Sequence, residues 1–211
     1  MPAIAASSLS IESLETQFGL RETDDRQFFW EWQTDLPDLD EWEQQALDRL
    51  KKSFLNALKY PSLTENSVRM VMVHPLLFVG NFYQSPLETK PEPSISIRLE
   101  DEENTVIEGR IDVLVLKSQL WLMVIEAKRA EISIEAGIAQ LLTYMLANPN
   151  RDRPTFGMLT NGSSFLFAKV SQLPIPQSAL SDVFVLRRRQ NELYDVLKIL
   201  KRLVQLVQNS N

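Results

Sequence analysis

The chain predicts a mixed α/β domain: a central mixed sheet of four to five strands flanked by helices, with an extra N-terminal helix and a long C-terminal helix. Three observations carry this. Apolar residues recur at helical spacing from Leu39 to Leu58 and again from Leu193 to Val207. Short runs of Ile, Val, Leu and Met between 109 and 128 read as strands buried on at least one face. Two further apolar runs, Thr155–Thr160 and 165–170, are joined by Asn161-Gly162, a strong hairpin signal. Helix, hairpin, helix and two strands in that order make an α/β core.

Residues 1–25 mix Ser, Ala, Glu and Asp with scattered apolar positions, so a frayed or loosely docked start is expected. Phe28, Phe29, Trp30 and Trp32 lack interleaved basic residues beyond Arg26 and read as a packing anchor, not a base-stacking platform. A helix begins at Asp38 or Asp40, with Glu41 and Glu43 early and Lys51 and Lys52 late, as the helix dipole favours. Thr64 can cap a second helix running through Val68, Val71 and Met72 towards Gly80, which Pro75 should end or kink. Residues 81–93 read as a proline-bearing loop. Ile95, Ile97 and Leu99 alternate as a strand, and a turn at 101–104 leads into a strand over 105–116. A helix over 132–147 closes at Asn148-Pro149-Asn150. The predicted organisation is a helical extension (1–61), an α/β core (62–170), and a linker with an amphipathic helix (171–211).

The chemistry is concentrated on the hairpin. Asp112, Glu126 and Lys128 stand on two otherwise apolar runs, where charges are rarely buried without a partner or a metal. Glu126 and Lys128 share a strand face, and Ala127 points away. Register decides whether Asp112 joins them. Pairing Leu116 with Trp121 would oppose Asp112 to Ile125, on the wrong face. Pairing Lys117 with Trp121 around a three-residue loop, 118–120, opposes it to Glu126, with Cβ atoms roughly 4.5–5.5 Å apart. Opposed carboxylates repel, which argues for a cation between them or a protonated partner. Mg²⁺ takes oxygen ligands and keeps waters, polarises a phosphoryl group and lowers the pKa of an attacking water. Lys128 would orient that water or neutralise phosphate charge. His74 is the sole histidine and reads as structural.

Asp112, the triplet Glu126-Ala127-Lys128 and Gln140-x-x-x-Tyr144 resemble the PD-(D/E)xK nuclease superfamily, whose fold is restriction-endonuclease-like. The Gln-x-x-x-Tyr element is similar to the RecB-like branch. The whole, over about 62–170, resembles the nuclease domain at the N-terminus of type I restriction R subunits. A second triplet, Glu88-Thr89-Lys90, lies among prolines and reads as a loop. Arg110-Ile111 precedes Asp112 where the family often has proline. The resemblance implies Asp112 and Glu126 as metal ligands, with Glu65 supplying a further carboxylate directly or through water. It implies Lys128 as catalytic lysine and Gln140 and Tyr144 as residues shaping the site; residues i and i+4 share a helix face. Mg²⁺, or Mn²⁺ in its place, is the expected cofactor. DNA is the expected partner, with Arg129 and Arg110 nearest the site to contact it.

Net charge is −6, from 22 Lys and Arg against 28 Asp and Glu, which departs from the basic surface of most DNA binders. The acids concentrate before Asp48, whereas Arg129, Arg151, Arg153 and Arg187, Arg188 and Arg189 fall in or after the core. A binder relying on a partner for DNA affinity also fits. With no cysteine there is no disulfide framework or thiol zinc site. No run reaches a membrane span and no leader is evident, so a cytoplasmic protein is expected. The apolar stripe Leu193, Val196, Leu197, Leu200, Leu203, Val204 and Val207 should dock on the domain itself, the alternative being a homodimer or partner protein paired through that helix. Two functions follow: a metal-dependent nuclease, or a catalytically inactive nuclease-fold module for DNA binding or assembly.

Overall fold

The computed structural model describes residues 3–60, 63–98, 106–117 and 119–209. The chain starts with β1 (Ala3–Ala5) and α1 (Ile11–Phe18), then β2 (Arg21–Glu22) and α2 (Glu41–Ala57). A composite helix follows: α3 (Glu65–Val68), a π-helical stretch (Arg69–Val73) and α4 (His74–Val79). Next come β3 (Glu88–Pro91), β4 (Ser94–Arg98), β5 (Val106–Arg110), β6 (Val113–Lys117) and β7 (Leu120–Ala127). The remainder is α5 (Ile138–Leu146), β8 (Thr155–Thr160), β9 (Ser164–Ser171), β10 (Gln177–Leu180), β11 (Phe184–Val185) and α6 (Leu193–Asn209).

A large mixed sheet has the order β2-β10-β9-β8-β7-β6-β3, with β11 also on β9. Among the described residues it has eight strands, not the four or five expected, because β3 extends one side while β10 and β11 pair with β9 and β2 pairs with β10. Alternation divides its two faces. Val113, Val115, Met123, Ile125, Phe156, Met158 and Phe167 face a core built with α2, the composite helix and α6. Leu114, Leu116, Val124, Leu159, Leu166 and Ala168 face a second core with α5, α1 and a small sheet, β1-β5-β4. Burying both faces suits the near-continuous apolar sequence of β6 to β8.

Several expectations need correction. The strand expected over 105–116 is two strands in different sheets, β5 and β6, broken at Ile111-Asp112. There the Ile111 N–H donates to Pro93 O and the Asp112 carbonyl accepts from Glu92 N–H. The loop expected over 81–93 contains β3, which pairs antiparallel with β6 as an edge strand. Its Glu88 and Lys90 form an exposed ion pair, away from the chemistry. The turn at 101–104 lies outside the described residues. The start of the chain is docked: β1 pairs with β5, Ser10 caps α1, and Leu14 is fully buried.

Other expectations hold with modification. Asp40 caps α2 in a reciprocal box with Glu43, though Trp42 faces solvent. Phe29 is buried against Phe156, an anchor as read. Pro75 neither ends nor breaks the second helix. It lies in the first turn of α4, directly after the π-helical turns, whose wider backbone accommodates a residue without an N–H. At Gly162 φ is +80°, the left-handed geometry the β8–β9 turn requires, and the Asn161 side chain accepts from the Ser163 and Ser164 amides. On α6, the apolar stripe from Leu193 to Val204 is buried in the first core. Docking therefore consumes the surface that the dimer alternative needed.

Candidate active site

The β6–β7 hairpin does oppose Asp112 to Glu126, but by a different device from the one expected. Near the turn the ladder pairs Lys117 with Leu120 and Leu116 with Trp121, the register that would put Asp112 on the wrong face. A β-bulge then shifts it, so that Val115 pairs with Met123 and Val113 with Ile125. The extra residue is Leu122, which turns to the same core as Met123. The expected three-residue loop is thus replaced by a two-residue turn, in which Gln119 holds φ +68°, followed by the bulge. Continuing the ladder by one residue brings Asp112 against Glu126, on the face of Val124 and α5.

Each carboxylate has its own cation. The Glu126 Oε1 accepts from Lys128 Nζ at 2.9 Å, and Lys128 also donates to Gln140 Oε1 at 2.5 Å. Gln140 Nε2 donates in turn to the Tyr144 hydroxyl at 2.8 Å. Gln140 and Tyr144, one turn apart on α5, therefore link to Lys128 in a continuous polar relay. Asp112 Oδ2 accepts the Ala127 N–H at 2.7 Å, while Oδ1 lies 3.0 Å from Arg69 Nη1. Arg69 also reaches Glu92 at 2.9 Å.

The electrostatics follow from burial. Glu126 is 3% exposed, and desolvation together with the neighbouring Asp112 charge outweighs Lys128 and pushes its carboxyl up to about 8. Asp112 is also raised, chiefly by burial, against the pull of the Ala127 amide and Arg69. Glu65 is exposed in the first turn of α3, under the Thr64 cap, and its charge raises both carboxylates further. Burial and Glu126 raise the Tyr144 phenol.

Of the two arginines expected to meet nucleic acid, Arg110 pairs with Glu92 at 3.3 Å and Arg129 with Glu131 at 3.7 Å; both are more than half exposed. His74 bonds Tyr83 and takes no part. Arg69 and Glu92 were not anticipated from the sequence. Arg69 follows Glu65 by four residues, the one signal that would have placed it on the same helix face. Gly109 is a third omission: a Cβ there would meet the Tyr144 ring at 2.6 Å, so its lack of a side chain lets Tyr144 reach the site.

The residues that could hold a metal are Asp112 and Glu126, with Glu65 nearby. Glu126 Oε2 is buried with no hydrogen-bond partner, an orphan that an oxygen-seeking dication would satisfy. Among the described residues no group of three His, Cys, Asp or Glu is gathered as a metal cluster. The donor set therefore suits an ion that retains several waters.

A mixed sheet whose hairpin opposes an aspartate to a Glu-x-Lys triplet, with a crossover helix presenting Gln and Tyr to them, defines a restriction-endonuclease-like domain. The model of the type I restriction enzyme R protein N terminus (HSDR_N) matches residues 22–173, and the chain belongs to that family. Among solved structures, it is similar to a fragment of a "putative HsdR subunit of a type I restriction enzyme" from Vibrio vulnificus YJ016. Identity is 23% over 51% of this chain, with a TM-score of 0.39, and the match spans 21% of that longer chain. No curated protein matches the chain. No helix among the described residues is long and apolar enough to cross a membrane.

Proposed function

We propose that this domain is a Mg²⁺-dependent nuclease that hydrolyses phosphodiester bonds in DNA, with Mn²⁺ able to serve, in a restriction or repair setting. One observation carries the reading: Asp112, Glu126 and Lys128 converge on one sheet face with Gln140 and Tyr144 linked behind them. Membership of the type I R-protein N-terminal family supports it.

Asp112 and Glu126 would hold the ion, and Glu65 would contribute a further carboxylate, directly or through water. When bound, the ion polarises the phosphoryl group and makes a bound water nucleophilic near neutral pH. The chain's own residues supply the rest. Lys128 is fixed between Glu126 and Gln140 before substrate arrives, so its ammonium is placed to orient a water or to neutralise charge developing on the phosphate. Gln140, held by Tyr144, keeps Lys128 aimed. Exposed Arg110 and Arg129 flank the carboxylates and suit phosphate contacts. With net charge −6, tight DNA binding would draw on basic surface from other subunits.

Supercoiled plasmid incubated with the protein and Mg²⁺ or Mn²⁺ tests this. Nicking or linearisation is expected, falling by about 10² or more in Lys128→Ala, the scale of losing one preorganised charge donor. Cleavage that persists unchanged in Lys128→Ala removes this active site. A protein that cuts neither DNA nor RNA is instead an inactive module for DNA binding or assembly.

A further inference from the structure

Arg69 is the best-placed charge that the proposed reaction does not use. Its side chain is 13% exposed, and Nη1 lies 3.0 Å from Asp112 Oδ1 and 2.9 Å from Glu92 Oε1, while Nη2 meets Asn66 Oδ1. Asp112 Oδ2 is already committed to the Ala127 amide. Oδ1 is therefore the oxygen an ion would take, and a guanidinium is on it. Two positive charges on one carboxylate oxygen repel in a partly buried site, so an arriving dication and Arg69 compete there.

Glu92 is built to receive the displaced cation. It lies between Pro91 and Pro93 with φ +51°, a left-handed conformation rare outside glycine, and its amide donates to the Asp112 carbonyl at 3.0 Å. Its backbone is thus pinned to that of Asp112, and its carboxylate reaches the same guanidinium. It is shared between Arg69 within and Arg110, which is 64% exposed, at the surface.

We propose that Arg69 is a resident counter-ion that competes with the metal for Asp112 Oδ1, with Glu92 holding its charge when the metal displaces it. Arg69 is thereby a positioning residue that sets metal affinity, an inference that rests on the metal-site reading above. The Arg110–Glu92–Arg69–Asp112 chain also links the surface to the metal ligand. A phosphate drawing on Arg110 changes the demand on Glu92 and so on Arg69.

Calorimetric titration of the metal-free 211-residue chain with Mn²⁺ tests it without reference to cleavage. Arg69→Gln is expected to bind Mn²⁺ about tenfold more tightly than wild type, a usual size for coupling between sites. Glu92→Gln strands the displaced arginine and is expected to bind more weakly by a similar factor. Unchanged or weaker binding by Arg69→Gln, or tighter binding by Glu92→Gln, overturns the proposal. If Arg69→Gln does not fold without metal, the Mn²⁺-induced rise in the melting temperature of Glu92→Gln decides, and it must be smaller than in wild type. Wild type that binds no Mn²⁺, or binds it equally with Asp112→Asn, removes the metal site itself.

Discussion

Burial and the charge of Asp112 set the protonation of Glu126, and through it the response of the domain to pH. Its carboxyl moves from an ordinary value of 4.5 to about 8 on folding, so the folded chain holds an extra proton between those values. The stability this contributes is complete below about pH 4.5 and is lost as pH rises through about 8, at up to about 1.4 kcal/mol per pH unit. Urea melts of metal-free protein should therefore show stability declining from pH 5 to 8. Glu126→Gln, which cannot ionise, should flatten that decline; an unchanged slope would place the proton elsewhere. Mn²⁺ affinity should rise over the same window, because the ion must expel that proton. Glu126, Lys128, Gln140 and Tyr144 were legible in the sequence because strand period and helix period fix each pair locally. Arg69 and Glu92 were not. Their meeting depends on where the composite helix crosses a segment more than twenty residues later, which no local period encodes.

At the scale of elements, turns with chemistry of their own were readable. Asn161-Gly162 specifies the β8–β9 hairpin, and a Cβ on Gly162 would stand 2.1 Å from Phe54 as well as straining φ +80°. Gly162→Ala should destabilise the domain by about 2–5 kcal/mol, the sum of a left-handed penalty and overpacking, measured as a lower urea midpoint at constant m. The opposition of Asp112 to Glu126 was readable only through the chemistry: both faces of β6 and β7 are apolar, so burial does not choose the register, and it was the demand for a shared carboxylate site that did. How the hairpin attains it was not. Leu122 and Met123 are both apolar, and nothing in their identity says that one of them is surplus to the ladder. The break between β5 and β6 was equally hidden, since the groups that capture residues 111 and 112 come from Glu92 and Pro93 in another segment.

Taken whole, the molecule rests on two cores separated by one sheet. The flanks join them: α1 packs into the second core and α6 into the first. Lys201 on α6 reaches buried Glu43 of α2 at 2.6 Å, tying the C-terminal helix to α2. Leu200, fully buried on α6, should cost about 2–5 kcal/mol when cut to Ala, read as a drop in melting temperature. Amphipathicity announced that this helix would dock somewhere; which surface it covers depended on an acceptor face assembled from α2, β7 and β11. The sheet was wider than expected for a related reason. β2, β10 and β11 are only two to four residues long and carry little periodicity of their own, so pairing with an existing edge is what makes them strands.

The chain changes sheets between Ile111 and Asp112, and this has a mechanical meaning. Asp112 is a knuckle at which a small three-stranded plate is joined to a large one, the other crossing being at Glu92-Pro93 between β3 and β4. Ala3–Ala5 form the plate's outer strand, so the first residues of the chain are in series with a carboxylate more than a hundred positions away. The carboxylate that opposes Glu126 thus sits on a joint between two sheets, braced from the second crossing by the amide of Glu92 and the carbonyl of Pro93.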